Sequence, residues 1–256
     1  MSISAARIGA VIRKELTEFR RSRSIVSTMG FFPVMFLILP TVEILALKAS
    51  ASSALLDKRV SLSLVFLLLI PVFVPATVAA YSVVGEREQG TLEPVLSTPV
   101  RREELLIGKA GAIFLPAIGL AYLVFGIFLA VVRFGASPVI ATAVWHAPVL
   151  LAEVFFIPLL AGWAIWIGLA ISARASDIRV AQQLGILASL PPLALTALMS
   201  FQVINPTLTL AASLGGALLV IDCAACFLVA RLFDRERLVT GSKPSAGLTG
   251  PAQRSA

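Results

Sequence analysis

The chain has 256 residues, 58% of them hydrophobic and 14% charged, with a mean hydropathy of +0.95 and a formal net charge of +7. Soluble domains run near 45–50% apolar and about 25% charged, so water is not the principal solvent of this chain. The surplus Lys and Arg sit in short clusters between apolar runs, which speaks against a nucleic-acid partner, whose phosphates call for one basic stripe, and suits the flanks of membrane helices.

Residues 1–23 carry six Lys or Arg and two Glu. Ile8, Val11, Ile12, Leu16 and Phe19 recur at helical spacing, which leaves Arg13, Lys14, Glu18 and Arg20 off the apolar face. The expectation is an amphipathic helix in the membrane interface, with Arg13, Lys14, Glu15 and Arg20 as its polar signature and anionic headgroups opposite. The plainer alternative is a charged tail ahead of the first span. Ala49, Ser50 and Ala51 resemble a cleavage site for a secretory signal. The apolar run before them exceeds the roughly 7–15 residues of a signal core, so it is read as a retained first span, 24–47.

A second span is expected at 61–84, between Lys58–Arg59 and Glu86–Arg87, and a third at 108–132, ending at Arg133. Residues 134–173 are hydrophobic but interrupted by Ser137, Pro138, His146, Pro148, Glu153 and Pro158; they are read as an interfacial piece and then a fourth span, 145–172. Residues 180–221 contain no charge. One helix of that length would reach about 63 Å, twice the ~30 Å hydrocarbon layer. The stretch therefore turns back at QVINP, giving spans at 180–201 and 207–230. Residues 1–240 form one all-α integral membrane domain on this reading, and 241–256, rich in Gly, Ser and Pro, a disordered cytoplasmic tail.

Six spans return both termini to one side. That side carries seventeen Lys or Arg against four opposite, which predicts cytoplasmic termini in a cell-membrane protein. Cys223 and Cys226 form a CxxC inside an apolar helix with no His nearby; they are read as packing residues, with no metal site. His146, the only histidine, sits beside Trp145 near the outer interface and is read as an anchor. Pro191–Pro192 is read as a kink in span five.

The connection between spans two and three, GEREQGTLEPVLSTPVRREELLIGKA, is far longer than the 2–8 residues that joining two helices needs. Gly90 can end the extension of span two, Thr91 can cap a short helix that tolerates Pro94 in its first turn, and Thr98–Pro99 can start the next. Glu86, Arg87, Glu88 and Glu93 supply charge and Leu92, Val95 and Leu96 supply packing, so the element suits docking into a groove on another protein. This segment resembles the signature of the ABC type-2 permease family, through Glu86, Glu88, Gly90, Thr91, Leu92, Glu93, Leu96, Thr98, Pro99, Leu105, Leu106, Gly108 and Lys109. The resemblance implies a cytoplasmic coupling helix that contacts a separate ATPase, a function as the transmembrane subunit of an ATP-binding cassette exporter, and a second permease copy as partner. RKELTEFRRSRS at the N-terminus resembles the interfacial helix of the same family. Val95 replaces a usual Leu, and Arg101 stands where a small polar residue is common.

No G-x-x-x-x-G-K-[ST] occurs, so the chain is read as a permease and not an enzyme, with no cofactor of its own and ATP and Mg bound by the partner subunit. Asp222 is expected about 12 Å from the inner end of span six, where ionisation costs roughly 2.5–3.5 kcal/mol. With Glu153, nearer the outer end, it is an intramembrane polar candidate. Ala212, Ser213, Gly216 and Ala217 stand at small-xxx-small spacing on the same span. A secondary transporter would need repeat symmetry and several buried ion ligands, and an intramembrane enzyme a catalytic set such as H-E-x-x-H; the exporter permease accounts for more of the residues than either.

Overall fold

The computed structural model describes residues 4–47, 52–90, 100–201, 203–204 and 207–232. Among these there is no strand, and six helices are long and apolar enough to cross a membrane. The elements are α1 (Ala5–Arg21), α2 (Arg23–Leu45), α3 (Ser53–Leu68), α4 (Ile70–Glu88), α5 (Arg102–Gly135), α6 (Pro138–Val144), α7 (Ala147–Ser172), α8 (Ile178–Ser200) and α9 (Leu208–Leu232).

Local chemistry sets the boundaries. Ser22 adopts an extended backbone that ends α1, and its hydroxyl accepts from the Ile25 N–H at 3.5 Å to start α2. Asp177 caps α8 by accepting from Arg179 N at 2.7 Å and Val180 N at 3.2 Å. α3 and α4 run on as a single rod, Ser53–Glu88; Pro71 withholds one backbone donor at their junction but Leu69 stays helical. At 36 residues the rod is about 54 Å long, so it extends beyond 61–84 at both ends. α5, at 34 residues, likewise outruns 108–132. The piece before the fourth span is α6, whose Ile140, Ala141 and Val144 are buried.

α4 is the axis of the bundle: almost every side chain from Ile70 to Glu86 is buried. It meets α7 and α8 where side chains are small. A Cβ added to Gly168 of α7 would lie 2.6 Å from the Ala79 Cβ, and one on Gly185 of α8 would meet the Ala76 carbonyl at 3.6 Å, so backbone contact replaces side-chain packing here. α9 lies along α7, with Gly215 under the Phe155 ring. Gly216, one residue on, meets nothing within 4 Å among the described residues, and Ala212, Ser213 and Ala217 are exposed; the small-residue row faces away from the other described helices. α1, the end of α4, the start of α5 and the end of α7 share one end of the bundle. Glu43 of α2 and Arg59 of α3 pair at the other.

Candidate functional site at the base of the α4–α5 connection

α1 buries Val11, Glu15 and Phe19, four residues apart and therefore on one stripe. They lie against the first turns of α5. A Cβ on Gly108 would fall 2.5 Å from the Val11 Cγ1 and 2.6 Å from its Cβ, and one on Gly111 would fall 3.1 Å from the Ile12 Cδ1. Bare backbone on α5 thus lets α1 approach closely, and the residue after Gly108 is set facing Glu15.

That residue is Lys109, whose side chain is fully buried. Its Nζ donates to Glu15 Oε1 and to the Ser82 carbonyl, each at 2.9 Å, and pairs with Glu86 Oε2 at 2.9 Å. Three oxygens from α1 and α4 therefore surround an ammonium with three protons. Lys14 completes the cluster from the outer side, 2.7 Å from Glu86 Oε1, 3.2 Å from Glu15 Oε1 and 3.1 Å from Glu18 Oε2. Partial burial opposes its charge, but the Glu15 and Glu86 carboxylates prevail and hold the Lys14 pKa above its ordinary value. Glu15, Glu18 and Glu86 bring oxygens within 4.8 Å of one another, and the cations between them are the two lysines.

A second anchor lies four residues before Gly108. Glu104 accepts from Arg7 Nε at 2.8 Å, Arg7 Nη2 at 2.7 Å, Ser4 N at 2.8 Å and Arg101 N at 3.1 Å. The Arg7 contact is a two-pronged guanidinium–carboxylate pair, and that hydrogen bond raises the Arg7 pKa. Arg101 is the N-cap of α5. A guanidinium has no acceptor for a helix N–H, so the start of α5 is closed by Glu104 reaching back to the Arg101 backbone, the reciprocal half of a capping box.

The end of α4 is held from a third side. The Ser172 hydroxyl of α7 accepts from Val83 N at 3.3 Å and Val84 N at 3.2 Å, and donates to the Ala80 carbonyl at 2.7 Å. Arg87 Nη2 donates to the Ala175 carbonyl at 2.6 Å. Gly90, with φ +68°, then turns the chain out of the helix in the left-handed region that glycine adopts without strain.

Of the residues singled out from the connection, Glu86 is buried in the lysine cluster, Arg87 reaches the link between α7 and α8 at Ala175, and Glu88 and Gly90 are exposed. Thr91, Leu92, Glu93, Pro94, Leu96, Thr98 and Pro99 lie outside the described residues, as does the tail 241–256. Arg13 and Arg20 are exposed on α1. Glu15 and Lys14 turn inward because α1 packs on α5, so Glu15 faces Lys109 and not headgroups. Asp222 points its carboxylate at Gly162 of α7, where an added Cβ would stand 2.5 Å from Oδ2, and its Oδ1 is buried without a hydrogen-bond partner among the described residues. Glu153 is buried with Oε1 likewise unpartnered. Nine residues separate Glu153 from Gly162, about 13.5 Å along α7, so the two carboxylates form separate sites.

Arg7, Ser82, Glu104 and Ser172 were not singled out from the sequence, and Lys109 entered through the family signature and as a charge at the edge of span three. Glu15 was the available signal for the cluster: it occupies the buried stripe at Val11 plus four, where a lone carboxylate requires a buried partner. Among known proteins, the family model described as ABC-2 family transporter protein matches residues 9–211. No curated protein matches the chain.

Proposed function

The chain belongs to the ABC-2 transporter permease family, and from that premise we propose that it is the membrane subunit of an exporter driven by a separate ATPase docking on residues 91–99. The family makes it a multi-pass membrane permease of an ABC transporter. Coupling is supported by one observation above all: both ends of the 91–99 segment are tied to the same helix. Glu86, on the incoming side, is held by Lys14 of α1 and by Lys109, which also holds Glu15. Glu104, on the outgoing side, is held by Arg7 and the Ser4 backbone of α1. Work delivered to a segment with one free end would dissipate in side-chain motion. Anchored at both ends, the segment moves α1, α4 and α5 together.

From α4 the displacement has a stiff route onward. Gly168 and Gly185 bring α7 and α8 into backbone contact with Ala76 and Ala79, and close-packed interfaces shift as units because they do not deform continuously. Two such permeases with two ATPase subunits would give the two-fold arrangement common in oligomers, with the path between the permeases. The Lys and Arg distribution supports α1 and both termini on the cytoplasmic side, where the ATPase would dock. Asp222 and Glu153 are the intramembrane carboxylates this reading offers as candidates for the cargo path.

The test is substrate-stimulated ATP hydrolysis by the assembled complex. Glu88→Ala with Glu93→Ala should lower stimulation while membrane insertion stays normal; full stimulation would remove the docking role. A version with Cys223 and Cys226 replaced and Ser97→Cys introduced should react with an impermeant thiol reagent only from the cytoplasmic side. Labelling from outside would reverse the orientation.

A further inference from the structure

Where α1 turns into α2, a groove of about 580 Å³ opens between these helices and α5, a size in the range of small-ligand clefts. Leu16 and Phe19 of α1, Val26 and Met29 of α2 and Pro116 of α5 make its walls, and Arg13 and Arg20 stand at its lip. Arg13 and Arg20 are seven residues apart, two helical turns or about 10.5 Å, and both are exposed. Neither guanidinium makes an ion pair among the described residues. The acidic groups of α1 are committed elsewhere: Glu15 to Lys109 and Lys14, Glu18 to Lys14. The Thr17 hydroxyl between the arginines donates to the Arg13 carbonyl at 2.7 Å, so the free donors at the lip are the two guanidiniums.

We propose that this groove is a binding site for one anionic glycerophospholipid, its phosphate between Arg13 and Arg20 and an acyl chain along Leu16, Phe19, Val26, Met29 and Pro116. The chemistry selects this occupant by charge and by the nature of the walls. A soluble phosphate would satisfy the arginines and leave the apolar walls wet. A zwitterionic lipid would fill the groove but carry its own cation toward two guanidiniums. An apolar helix of a second copy would cover the walls and leave both arginines facing an uncharged surface. The groove also opens at the right depth, because Val26 is half exposed and stands three residues into the span that begins at Arg23, at the level where Lys and Arg meet headgroups. The assignment rests on the proposed orientation only in naming the cytoplasmic leaflet as the source.

The experiment is native mass spectrometry of the purified full chain in detergent, offered phosphatidylglycerol and phosphatidylcholine of the same acyl composition. It needs no ATPase, so its outcome is independent of the coupling scheme. The wild type should retain one phosphatidylglycerol in preference to phosphatidylcholine by about tenfold in occupancy, some 1.4 kcal/mol, and excess inorganic phosphate should not displace it. R13Q/R20Q should lose the preference, V26W should lose the bound lipid by filling the groove, and R133Q, an exposed arginine at the other end of the bundle, should match the wild type. Equal retention of both lipids, displacement by phosphate, or retention unchanged in R13Q/R20Q and V26W would each overturn the assignment.

Discussion

Lys109 holds its ammonium 2.9 Å from the Glu15 carboxylate, and the two side chains expose 0% and 2% of their surface. They are 94 residues apart in the chain, on α5 and α1, and Glu86 joins them from α4. A charge buried this fully is tolerated only with its partners in place. The pair therefore acts as a register pin: α1 cannot slide by one turn along α5 without taking Glu15 from Lys109 and Lys14 from Glu86.

Removing Lys109 alone should cost more than removing it together with Glu15. Lys109→Met leaves Glu15 and Glu86 with Lys14 alone, and breaking a buried pair typically costs about 3–5 kcal/mol. Glu15→Gln keeps an acceptor toward Lys109 and should be milder. Lys109→Met with Glu15→Met should recover part of the loss, since apolar replacement of a whole pair is often close to neutral. Thermal unfolding midpoints in detergent, arranged as a double-mutant cycle, measure this; strictly additive losses would mean that the two residues do not interact.

The glycines of α5 should differ sharply in tolerance. Gly108→Ala drives a Cβ to within 2.6 Å of both the Cβ and the Cγ1 of Val11, so α1 must lift away. Gly111→Ala meets only the far end of Ile12 at 3.1 Å, a flexible tip that can yield. The expected result is a lower melting temperature and a protease-sensitive α1 for Gly108→Ala, partly restored by Val11→Gly, and near wild-type behaviour for Gly111→Ala. Equal effects at the two positions would refute the close approach.

The six spans and the all-helical class were legible because hydrocarbon thickness sets a minimum length for an uncharged run, and residues 180–221 exceed it twice over. Helix ends were less legible. Asp57, Lys58 and Arg59 close the apolar run at 61, yet the helix begins at Ser53, since hydropathy marks where lipid ends and not where backbone hydrogen bonding does. The face of span six was not legible either: Gly215 and not Gly216 receives Phe155, a rotation of one residue that spacing alone does not determine. For the candidate site, the signature named Glu86 and Lys109 without saying that they meet. Their partners on α1 lie 72 and 94 residues away, beyond the reach of any local pattern.

Arg7 should matter for order at the end of the bundle more than for insertion. Its guanidinium makes two of the four hydrogen bonds that Glu104 accepts, and Lys cannot reproduce a two-pronged contact. Arg7→Ala should speed hydrogen exchange at the start of α1 and in the first turn of α5, Arg7→Lys should do so less, and amides in the middle of α7 should be unaffected. A uniform increase across the bundle would indicate global destabilisation and not a local tie. In the assembled complex the same variant should lower substrate-stimulated ATP hydrolysis.

Asp222 offers a separable test of packing and transport. Its carboxylate occupies the notch above Gly162, where an added Cβ would lie 2.5 Å from Oδ2 and 2.9 Å from Cγ. Gly162→Ala should therefore push α9 from α7 and lower the melting temperature, and Asp222→Ala should relieve the clash, making the double variant more stable than Gly162→Ala alone. Asp222→Ala by itself removes a carboxylate whose Oδ1 has no hydrogen-bond partner among the described residues, so no hydrogen bond to that oxygen is lost and folding should be little harmed. Transport by the assembled complex then decides why an expensive group is kept in the span. Loss of transport in a stably folded Asp222→Ala, with Asp222→Glu also impaired because the longer chain overfills the notch, would assign Asp222 to the cargo path. Undiminished transport in both would leave it a packing residue against Gly162.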